Sequence, residues 1–439
     1  FFSSRNSREF LIFFSHFLTM FARLFSPGIP TSSLPGVKFV PAHPSPPSNS
    51  TPLARTYPGN ISVYENSSSP TPRCSHTQHN YVDPVTGTPK IIVFGGGVKK
   101  PTDPYFISNN EVWIMEGSTM SWKLVQTTGD KPSARRGCTS WMVGTKLFIF
   151  GGVSEGLEGE KVYNDMYSFD VSNYAWNEVT LNNPPAQRRG GMGWSVSCEN
   201  GWEWLYMTGG IINTRDAREF ATVHRMRVDI NKCGDVCTWE SATIGVSRRY
   251  SKSRGFEVVN VYTNLPGIMA SYFVHVGTCG YPRVYMYGGF GLDGSNSNRL
   301  VMLEYCYGEY RSEGRGYKLL PLSGCRLLSI EEDAQENNPG KRVFGCGEGG
   351  YIVAGRVTKD DDDGGSGEED DEAGNDVIYR FCGVGVEGEG DGGEDKARDG
   401  HGLPGHGEVG GEHLKVTWEM IESDLNLGDR NGCGMSYVN

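Results

Sequence analysis

Short runs of consecutive apolar residues recur along the chain, and each run ends in glycine. A strand that is apolar at every position is covered on both faces, so each run predicts a buried strand. Recurrence at intervals of a few tens of residues predicts a repeat architecture. Four copies end in a glycine pair, IIVFGG (91–96), LFIFGG (147–152), LYMTGG (205–210) and VYMYGG (284–289), and a fifth, YIVAG (351–355), keeps one glycine.

The polar and apolar positions around each run repeat as well. An Arg-containing strand precedes the clear runs, a strand of alternating polarity follows, and a strand led by an aromatic residue closes the unit. Four strands per repeat predict sheets arranged radially around an axis. The second unit shows this most clearly, with PSARRGCTSWMV (132–143), KLFIFGG (146–152), NDMYSFDV (164–171) and AWNEVT (175–180).

Laid over one another, the copies divide residues 60–439 into units and leave residues 1–59 outside the fold. This proline-rich leader is predicted to be disordered or an error of the gene model, because the chain does not begin with Met. In the fourth unit GYKLLPL (316–322) is the predicted last strand, with Tyr317 in the Trp position. The predicted units are about 72–125, 132–180, 186–242, 270–322 and 341–421, followed by a partial unit at 429–439.

These residues resemble the kelch repeat family, whose motif runs Arg-x-Gly-His, a strand ending in Gly-Gly, a strand with Tyr, and then Trp. The resemblance implies an all-β fold, a kelch-type β-propeller of four-stranded blades, with about six blades of which the last is incomplete. Cys138, Gly191 and Cys433 replace the motif His in some units. The motif residues are Arg73, His76, Gly95, Gly96, Trp122, Arg135, Gly151, Gly152, Trp176, Arg188, Gly209, Gly210, Trp239, Gly288, Gly289 and Trp418.

Kelch propellers are closed by strands from the two ends of the chain, and the resemblance implies such a closure here. NISVY (60–64) lies at the distance before Arg73 that a last strand would have, and residues 429–438 match a first strand. A sixth blade made of these two pieces would lack its middle strands. A truncated gene model explains this better than a native open edge, because an open edge invites aggregation.

The net charge of −11 is not a property of the predicted propeller. Two acidic low-complexity inserts, at 359–376 and 386–413, carry −9 and −6, which leaves the rest of the chain at +4. Both inserts fall between strands of the fifth unit, where long polar loops cost little free energy. The 11 cysteines are scattered along the chain, which favours reduced thiols and a cytoplasmic protein.

No strong catalytic motif is present, so the sequence predicts neither an enzyme nor a cofactor or metal site. A copper-dependent enzyme like galactose oxidase is the alternative, because that family has a kelch-type fold. Such a site needs two Tyr, two His and a thioether-forming Cys around the metal. The histidines in or near the predicted strands are His76, His79, His224 and His275, and their arrangement does not match that motif.

The loops just after the glycine pair vary in length and charge from unit to unit, as binding loops do. In kelch propellers these loops lie on a face where partner peptides dock, commonly through Arg contacts with acidic motifs, and the resemblance implies the same here. A cluster of cations at that face would suit a carboxylate or a phosphate. The candidate residues are Lys99, Lys100, Arg215, Arg218 and Arg356.

Other basic residues have structural or regulatory interpretations. The pairs Arg135/Arg136 and Arg188/Arg189 recur with the repeat, which favours hydrogen bonding between loops of neighbouring blades. The segment SRRYSKSR (247–254) fits a phosphorylation site at Ser251 or a nuclear-import patch. One basic run of this kind does not predict a nucleic-acid partner.

The sequence therefore predicts a monomeric, non-catalytic kelch propeller that acts as a scaffold for protein partners. An acidic or phosphorylated peptide is the candidate ligand, and neither nucleic acid nor membrane is a predicted partner. A galactose-oxidase-like enzyme is one alternative. The other is a substrate-recognition adaptor whose partner domain is missing from a truncated gene model.

Overall fold

The structure is a computed structural model of the 439-residue chain. The chain divides into two units, Phe1–Thr51 and Pro52–Asn439, and everything described below belongs to the second. The described residues are 53–57, 61–65, 69–99, 106–156, 159–197, 202–212, 222–229, 237–259, 274–276, 283–289, 297–305, 309–311, 317–319, 325–340, 343–347, 351–355, 376–386, 413–425 and 433–435. Within these ranges no helix has the length and apolar character needed to span a membrane.

The first half of the described chain contains three four-stranded antiparallel units and the hairpins attached to them. Its strands are β1 (Leu53–Tyr57), β2 (Ile61–Glu65), β3 (Thr77–Val82), β4 (Pro89–Phe94), β5 (Gly97–Lys99), β6 (Phe106–Ser108), β7 (Val112–Glu116), β8 (Ser121–Leu124), β9 (Thr128–Gly129), β10 (Thr139–Val143), β11 (Lys146–Phe150), β12 (Val153–Gly156), β13 (Gly159–Val162), β14 (Met166–Asp170), β15 (Ala175–Glu178), β16 (Leu181–Asn182), β17 (Arg188–Arg189), β18 (Met192–Ser197), β19 (Trp202–Thr208), β20 (Ile211–Ile212), β21 (Thr222–Asp229) and β22 (Cys237–Ser251).

The second half contains two further units and a single turn of 3-10 helix, Glu332–Ala334. Its strands are β23 (Gly255–Val258), β24 (Val274–Val276), β25 (Arg283–Tyr287), β26 (Leu300–Tyr305), β27 (Glu309–Arg311), β28 (Tyr317–Leu319), β29 (Cys325–Ile330), β30 (Gln335–Glu336), β31 (Val343–Gly347), β32 (Tyr351–Gly355), β33 (Asp376–Val386), β34 (Leu414–Leu425) and β35 (Cys433–Met435).

The described strands form an all-β propeller of five blades. Each blade is an antiparallel sheet of four strands taken in chain order. The first strands of blades 1 to 4 contact one another in succession, which places them around a common axis. In chain order the blades are β3-β4-β7-β8, β10-β11-β14-β15, β18-β19-β21-β22, β24-β25-β26-β29 and β31-β32-β33-β34.

The hydrophobic core lies between the blades. The second strand of blade 2, β11, is buried at all five positions, which confirms the prediction made from the continuous apolar runs. Its two faces enter different clusters: Leu147 and Ile149 pack with blade 1, while Phe148 and Phe150 pack with blade 3. The fold therefore depends on interfaces between blades, because an isolated blade would expose both faces of its second strand.

Tryptophans of the last strands fill the spaces between blades. Trp176, Trp239 and Trp418 are 0%, 3% and 0% exposed. Each packs on an aromatic residue of the preceding blade: Trp176 on Phe94, Trp239 on Phe150 and Trp418 on Tyr287, with ring centroids 5.0, 5.5 and 4.9 Å apart. Trp122 occupies the same position in blade 1 and is half-buried.

Blade 4 differs from the sequence prediction in its last strand. The structure pairs β26 with β29, whereas residues 317–319 of the predicted strand form a hairpin with β27. Leu327 is buried against blade 3, and Leu328 and Ile330 are buried against blade 5. The predicted segment contains Pro321, which cannot donate a hydrogen bond to a sheet. The more apolar β29 therefore forms the last strand of blade 4.

The segments between blades add a strand that the sequence pattern did not reveal. β9, β16 and β30 each pair in parallel with the last strand of the next blade, namely β15, β22 and β34. Between blades 3 and 4 the corresponding parallel pairing is longer, because β22 continues past its own blade and pairs in parallel with β29. These strands cover the outer edges of blades 2 to 5 and so protect them from pairing with other chains.

The two segments predicted to form a closing sixth blade, residues 60–64 and 429–438, do not pair with each other in the described structure. β2 pairs with β1 in a separate hairpin, and β35 pairs in parallel with β31 at the edge of the fifth sheet. Cys433–Met435 thus extends blade 5 in the structure. The acidic inserts at 359–376 and 386–413 lie outside the described residues except at their ends.

Candidate functional site

The first arginine of the repeat connects neighbouring blades at the glycine pair. The buried guanidinium of Arg135 donates to the Gly151 carbonyl at 3.1 Å and to the Asp165 carboxylate at 2.6 Å. The Arg135 carbonyl accepts the N–H of Gly96 in the preceding blade at 3.0 Å. This side chain is enclosed by the framework and cannot contact a partner.

Arg73 and Arg188 occupy the same position in blades 1 and 3. Each donates to the carbonyl of the first glycine in its own pair, as Arg135 does. Each guanidinium also donates a hydrogen bond to a side chain in the third strand of its blade or one residue before that strand. The bonds are Arg73 to Gly95 O (3.1 Å) and Glu111 Oε2 (2.8 Å), and Arg188 to Gly209 O (3.0 Å) and His224 Nε2 (3.1 Å).

The glycine pairs adopt one backbone conformation in four blades. A Cβ on Gly151 would lie 2.6 Å from the Arg188 carbonyl oxygen, and a Cβ on Gly152 would lie 2.7 Å from Cys138 Sγ. Positive φ and this close approach both require glycine. The φ angles are 67° and 93° at Gly95 and Gly96, 68° and 91° at Gly151 and Gly152, 69° and 91° at Gly209 and Gly210, and 72° and 84° at Gly288 and Gly289.

Directly after the glycine pair the chain leaves the blade in a hairpin. In blade 1 this hairpin, arm 1, consists of β5 and β6, and in blade 2 the hairpin, arm 2, consists of β12 and β13. The arms contact each other, since Glu155 of arm 2 accepts the N–H and the hydroxyl of Ser108 at 3.1 and 2.6 Å. The variable loops of blades 1 and 2 therefore form a joint surface.

The second arginine of each pair lies at this surface. Arg136 donates to Glu155 at 2.6 Å and to Glu160 at 3.2 Å, and Arg189 donates to Glu160 at 2.5 Å. Burial alone would raise the pKa of Glu155, but the Ser108 hydrogen bond and the Arg136 charge outweigh it, so the pKa is lowered. The Glu155 carboxylate is thus held as an anion beside Arg136.

The predicted partner-binding cations fall mostly outside what the structure describes. Lys99 is the last residue of β5 in arm 1, where its backbone pairs with Phe106. Lys100, Arg215, Arg218 and Arg356 lie outside the described residues, so their role stays a prediction. Glu155 and Glu160 were not predicted from the sequence. The available signal was the acidic composition of arm 2, which follows the Arg135/Arg136 pair by about twenty residues.

Two Ser–His contacts raise a different question, whether a histidine activates a serine for nucleophilic catalysis. His79 Nε2 lies 2.8 Å from Ser140 Oγ, and burial lowers the pKa of His79 to about 4, far from the value near 7 that suits a general base. His224 Nε2 accepts from Arg188, so its ring proton sits on Nδ1 and donates to Ser241 Oγ at 2.7 Å. The lowered pKa of His79 and the Nδ1 proton of His224 both disfavour activation of the neighbouring serine.

The copper-enzyme alternative depends on histidines that would meet at a metal. His76 lies 3.4 Å from Gln78 Oε1, and His79 and His224 make the contacts just given. The side chain of His275 lies outside the described residues. Among the side chains that the structure describes, no group of three or more His, Cys, Asp or Glu residues is placed to hold a metal ion.

The basic segment 247–254 is part of the fold. Ser251 is 3% exposed, and its hydroxyl accepts the Arg254 N–H at 3.0 Å. The next turn is held by Asp333, which accepts the N–H groups of Lys252 and Ser253. Phosphorylation of Ser251 requires an accessible hydroxyl, so the structure contradicts that interpretation in the folded protein.

A protein-family model described as the KLHDC2/KLHL20/DRC7 Kelch-repeats domain matches residues 60–253. This range contains blades 1 to 3, with their buried arginines, their glycine pairs and both arms.

The chain contains a kelch-repeat region.

Three relatives of this kelch protein illustrate the range of its similarity. A Rab9 effector protein with kelch motifs from Xenopus laevis is 35% identical over 98 residues, which is 22% of this chain and 24% of that protein. Host cell factor 2 from Homo sapiens is 37% identical over 83 residues, 19% of this chain and 10% of the relative. An N-(sulfonatooxy)prop-2-enimidothioate sulfolyase from Thlaspi arvense is 31% identical over 131 residues, 29% and 34% of the two chains.

The similarity covers kelch repeats and not whole proteins. The matched region spans about a tenth to a third of the length of the curated relatives. Their names include both an effector and an enzyme, so kelch membership alone does not decide between binding and catalysis. The choice between a binding protein and an enzyme therefore has to be argued from the side chains that do not hold the blades together.

Proposed function

We propose that this kelch propeller is a non-catalytic protein-interaction module that binds its partner on the face carrying the arms. One observation carries the proposal: the arginines and glycine pairs that repeat in blades 1 to 3 are enclosed by the framework, whereas the arms that follow the glycine pairs differ between blades. The Arg135 side chain and the glycine pair hold the blades together. Ser108, Glu155 and Arg136 instead make hydrogen bonds at the surface that the arms form. A rigid body that presents variable loops is typical of binding proteins.

The partner chemistry follows from the charges at that face. Lys99, Lys100, Arg215, Arg218 and Arg356 all follow a glycine pair or its one-glycine equivalent, and each could bind a carboxylate or a phosphate of a peptide. The name of the Rab9 effector relative is compatible with a protein partner. We propose a monomeric, cytoplasmic protein that binds an acidic or phosphorylated peptide.

Charge reversal tests this proposal. We expect the variant K99E/K100E/R215E/R218E to lose its specific partners, with recovery in a quantitative pull-down lowered by about tenfold or more, because charge-assisted hydrogen bonds to a peptide anion are removed. The measurement is mass spectrometry of proteins captured from cell extract by the wild type and the variant.

The control variant is K123E/R254E/R380E/K415E, which makes the same change in net charge. Lys123 lies on β8, Arg254 on the β22–β23 hairpin, Arg380 on β33 and Lys415 on β34, so none of them belongs to arm 1 or arm 2. The control should keep the partners. Equal partner lists for all three proteins would contradict the proposed face, and equal losses in both variants would show a nonspecific charge effect.

A further inference from the structure

One carboxylate of arm 2 is bound by arginines of two neighbouring repeats. Glu160 Oε1 accepts from Arg136 Nη2 at 3.2 Å, and Glu160 Oε2 accepts from Arg189 Nη1 at 2.5 Å. Arg136 begins repeat 2 and Arg189 begins repeat 3, so the two guanidinium groups form a clamp that bridges adjacent blades. Each oxygen of the carboxylate accepts a charge-assisted hydrogen bond from a different arginine, and such bonds are stronger than those between neutral groups.

The described side-chain hydrogen bonds of this clamp go to arm 2 and not to the blade sheets. The side-chain ion pairs of Arg136 and Arg189 among the described residues are all with arm 2, namely with Glu155 and Glu160. Arg135 and Arg188, one position earlier, perform the framework role. In repeat 1 the position of Arg136 is held by Cys74, so the fold itself does not need an arginine there.

The occupying carboxylates come from a hairpin tip and remain open to solvent. The side chains of Glu155 and Glu160 are 30% and 38% exposed. Arm 2 is also anchored by its backbone, because Arg136 and Val153 exchange hydrogen bonds of 2.9 Å. Glu160 can therefore leave the clamp by side-chain rotation while the arm stays in place.

We propose that Arg136 and Arg189 form a binding site for an acidic side chain of a partner, and that Glu160, supported by Glu155, occupies this site in the free protein as an internal competitor. The inference rests on the proposed function, since it names a second cationic site on the same face and the contact that regulates it. An acidic peptide must displace Glu160, so arm 2 lowers the affinity for such peptides.

Binding of a fluorescent hexaglutamate peptide tests the inference, with a hexaglutamine peptide as the neutral probe. We expect the variant E155Q/E160Q to bind hexaglutamate about two- to tenfold more tightly than the wild type, the range of one or two exposed ion pairs. Adding R136Q/R189Q should abolish the gain. The milder variant E160Q, which keeps the bond between Glu155 and Ser108, should give a smaller gain in the same direction.

The matched control is E336Q/E419Q, which removes two exposed, ion-paired carboxylates on blade 5. This control distinguishes the effect of vacating the clamp from the effect of a general change in net charge. Equal gains in the control and in E155Q/E160Q would overturn the inference, as would the absence of hexaglutamate binding in every variant. Either result leaves the pull-down with Lys99, Lys100, Arg215 and Arg218 unaffected, so the two proposals fail separately.

Discussion

Replacing Gly151 by alanine is expected to lower the free energy of unfolding by about 2–4 kcal/mol. Part of the loss is conformational, because Gly151 has a φ of 68°, which L-residues adopt at a cost. The larger part is steric, because the new Cβ would lie 2.6 Å from the backbone carbonyl of Arg188 in the next blade. A backbone atom cannot rotate away, so the two blades must separate.

Gly87 provides the matched control for this prediction. Its φ is also 68°, but no atom lies within 4 Å of a Cβ built there. The variant G87A should therefore show the conformational cost alone, about 1 kcal/mol. Urea unfolding of both variants measures the difference. Equal destabilisation by G87A and G151A would contradict this account. It would show that glycine is needed at position 151 only for its positive φ and not for the close contact with the next blade.

Replacing Trp176 by alanine is expected to cost about 3–5 kcal/mol, the range for large aromatic residues in well-packed cores. Trp176 is fully buried, with its ring 5.0 Å from Phe94 in blade 1 and 4.9 Å from Phe169 in blade 2. Its indole N–H has no hydrogen-bond partner among the described atoms, so the substitution removes packing alone. Truncation leaves a cavity between two blades.

Trp122 gives the comparison, because it fills the same repeat position but is half-buried. The variant W122A should cost about 1–2 kcal/mol, since less apolar surface is transferred to water. Thermal and urea unfolding of both variants make the measurement. A larger loss for W122A than for W176A would contradict the view that each tryptophan is stabilised by the blade before it.

The repeat made the architecture predictable from sequence. A second strand covered on both faces must be apolar at every position, and the glycine pair marks where it ends, so the runs at 91–96 and 147–152 identified β4 and β11. The family and the all-β propeller fold followed from the same positions. These features are local in sequence, and each unit supports the interpretation of the others.

Features without a periodic signal were not predicted. The last strand of blade 4 was assigned to 316–322, because an aromatic residue led that segment, while the better-packing residues 325–330 form the strand. The parallel strands β9, β16 and β30 contain two residues each, too few for a pattern. One cue existed, since Asn-Asn-Pro follows or overlaps both β16 and β30, with positive φ at Asn183 and Asn337.

The candidate site was predictable only in outline. Variable loops after the glycine pair indicated the face, but charge alone could not show which cations are already bound within the chain. Arg136 and Arg189 were assigned to loop contacts, which agrees with their bonds to arm 2. Their pairing with Glu155 and Glu160 joins residues about twenty to thirty positions apart, and only the folded arm brings them together.

Site-specific photo-crosslinking tests the central claim, binding on the arm face, most directly. A photo-reactive residue at exposed Lys161 in arm 2 reports on that face. The same residue at Val85, which is 89% exposed in the β3–β4 turn at the opposite end of the strands, is the control. We predict partner crosslinks from position 161 and none from position 85; crosslinks from position 85 alone would contradict the account.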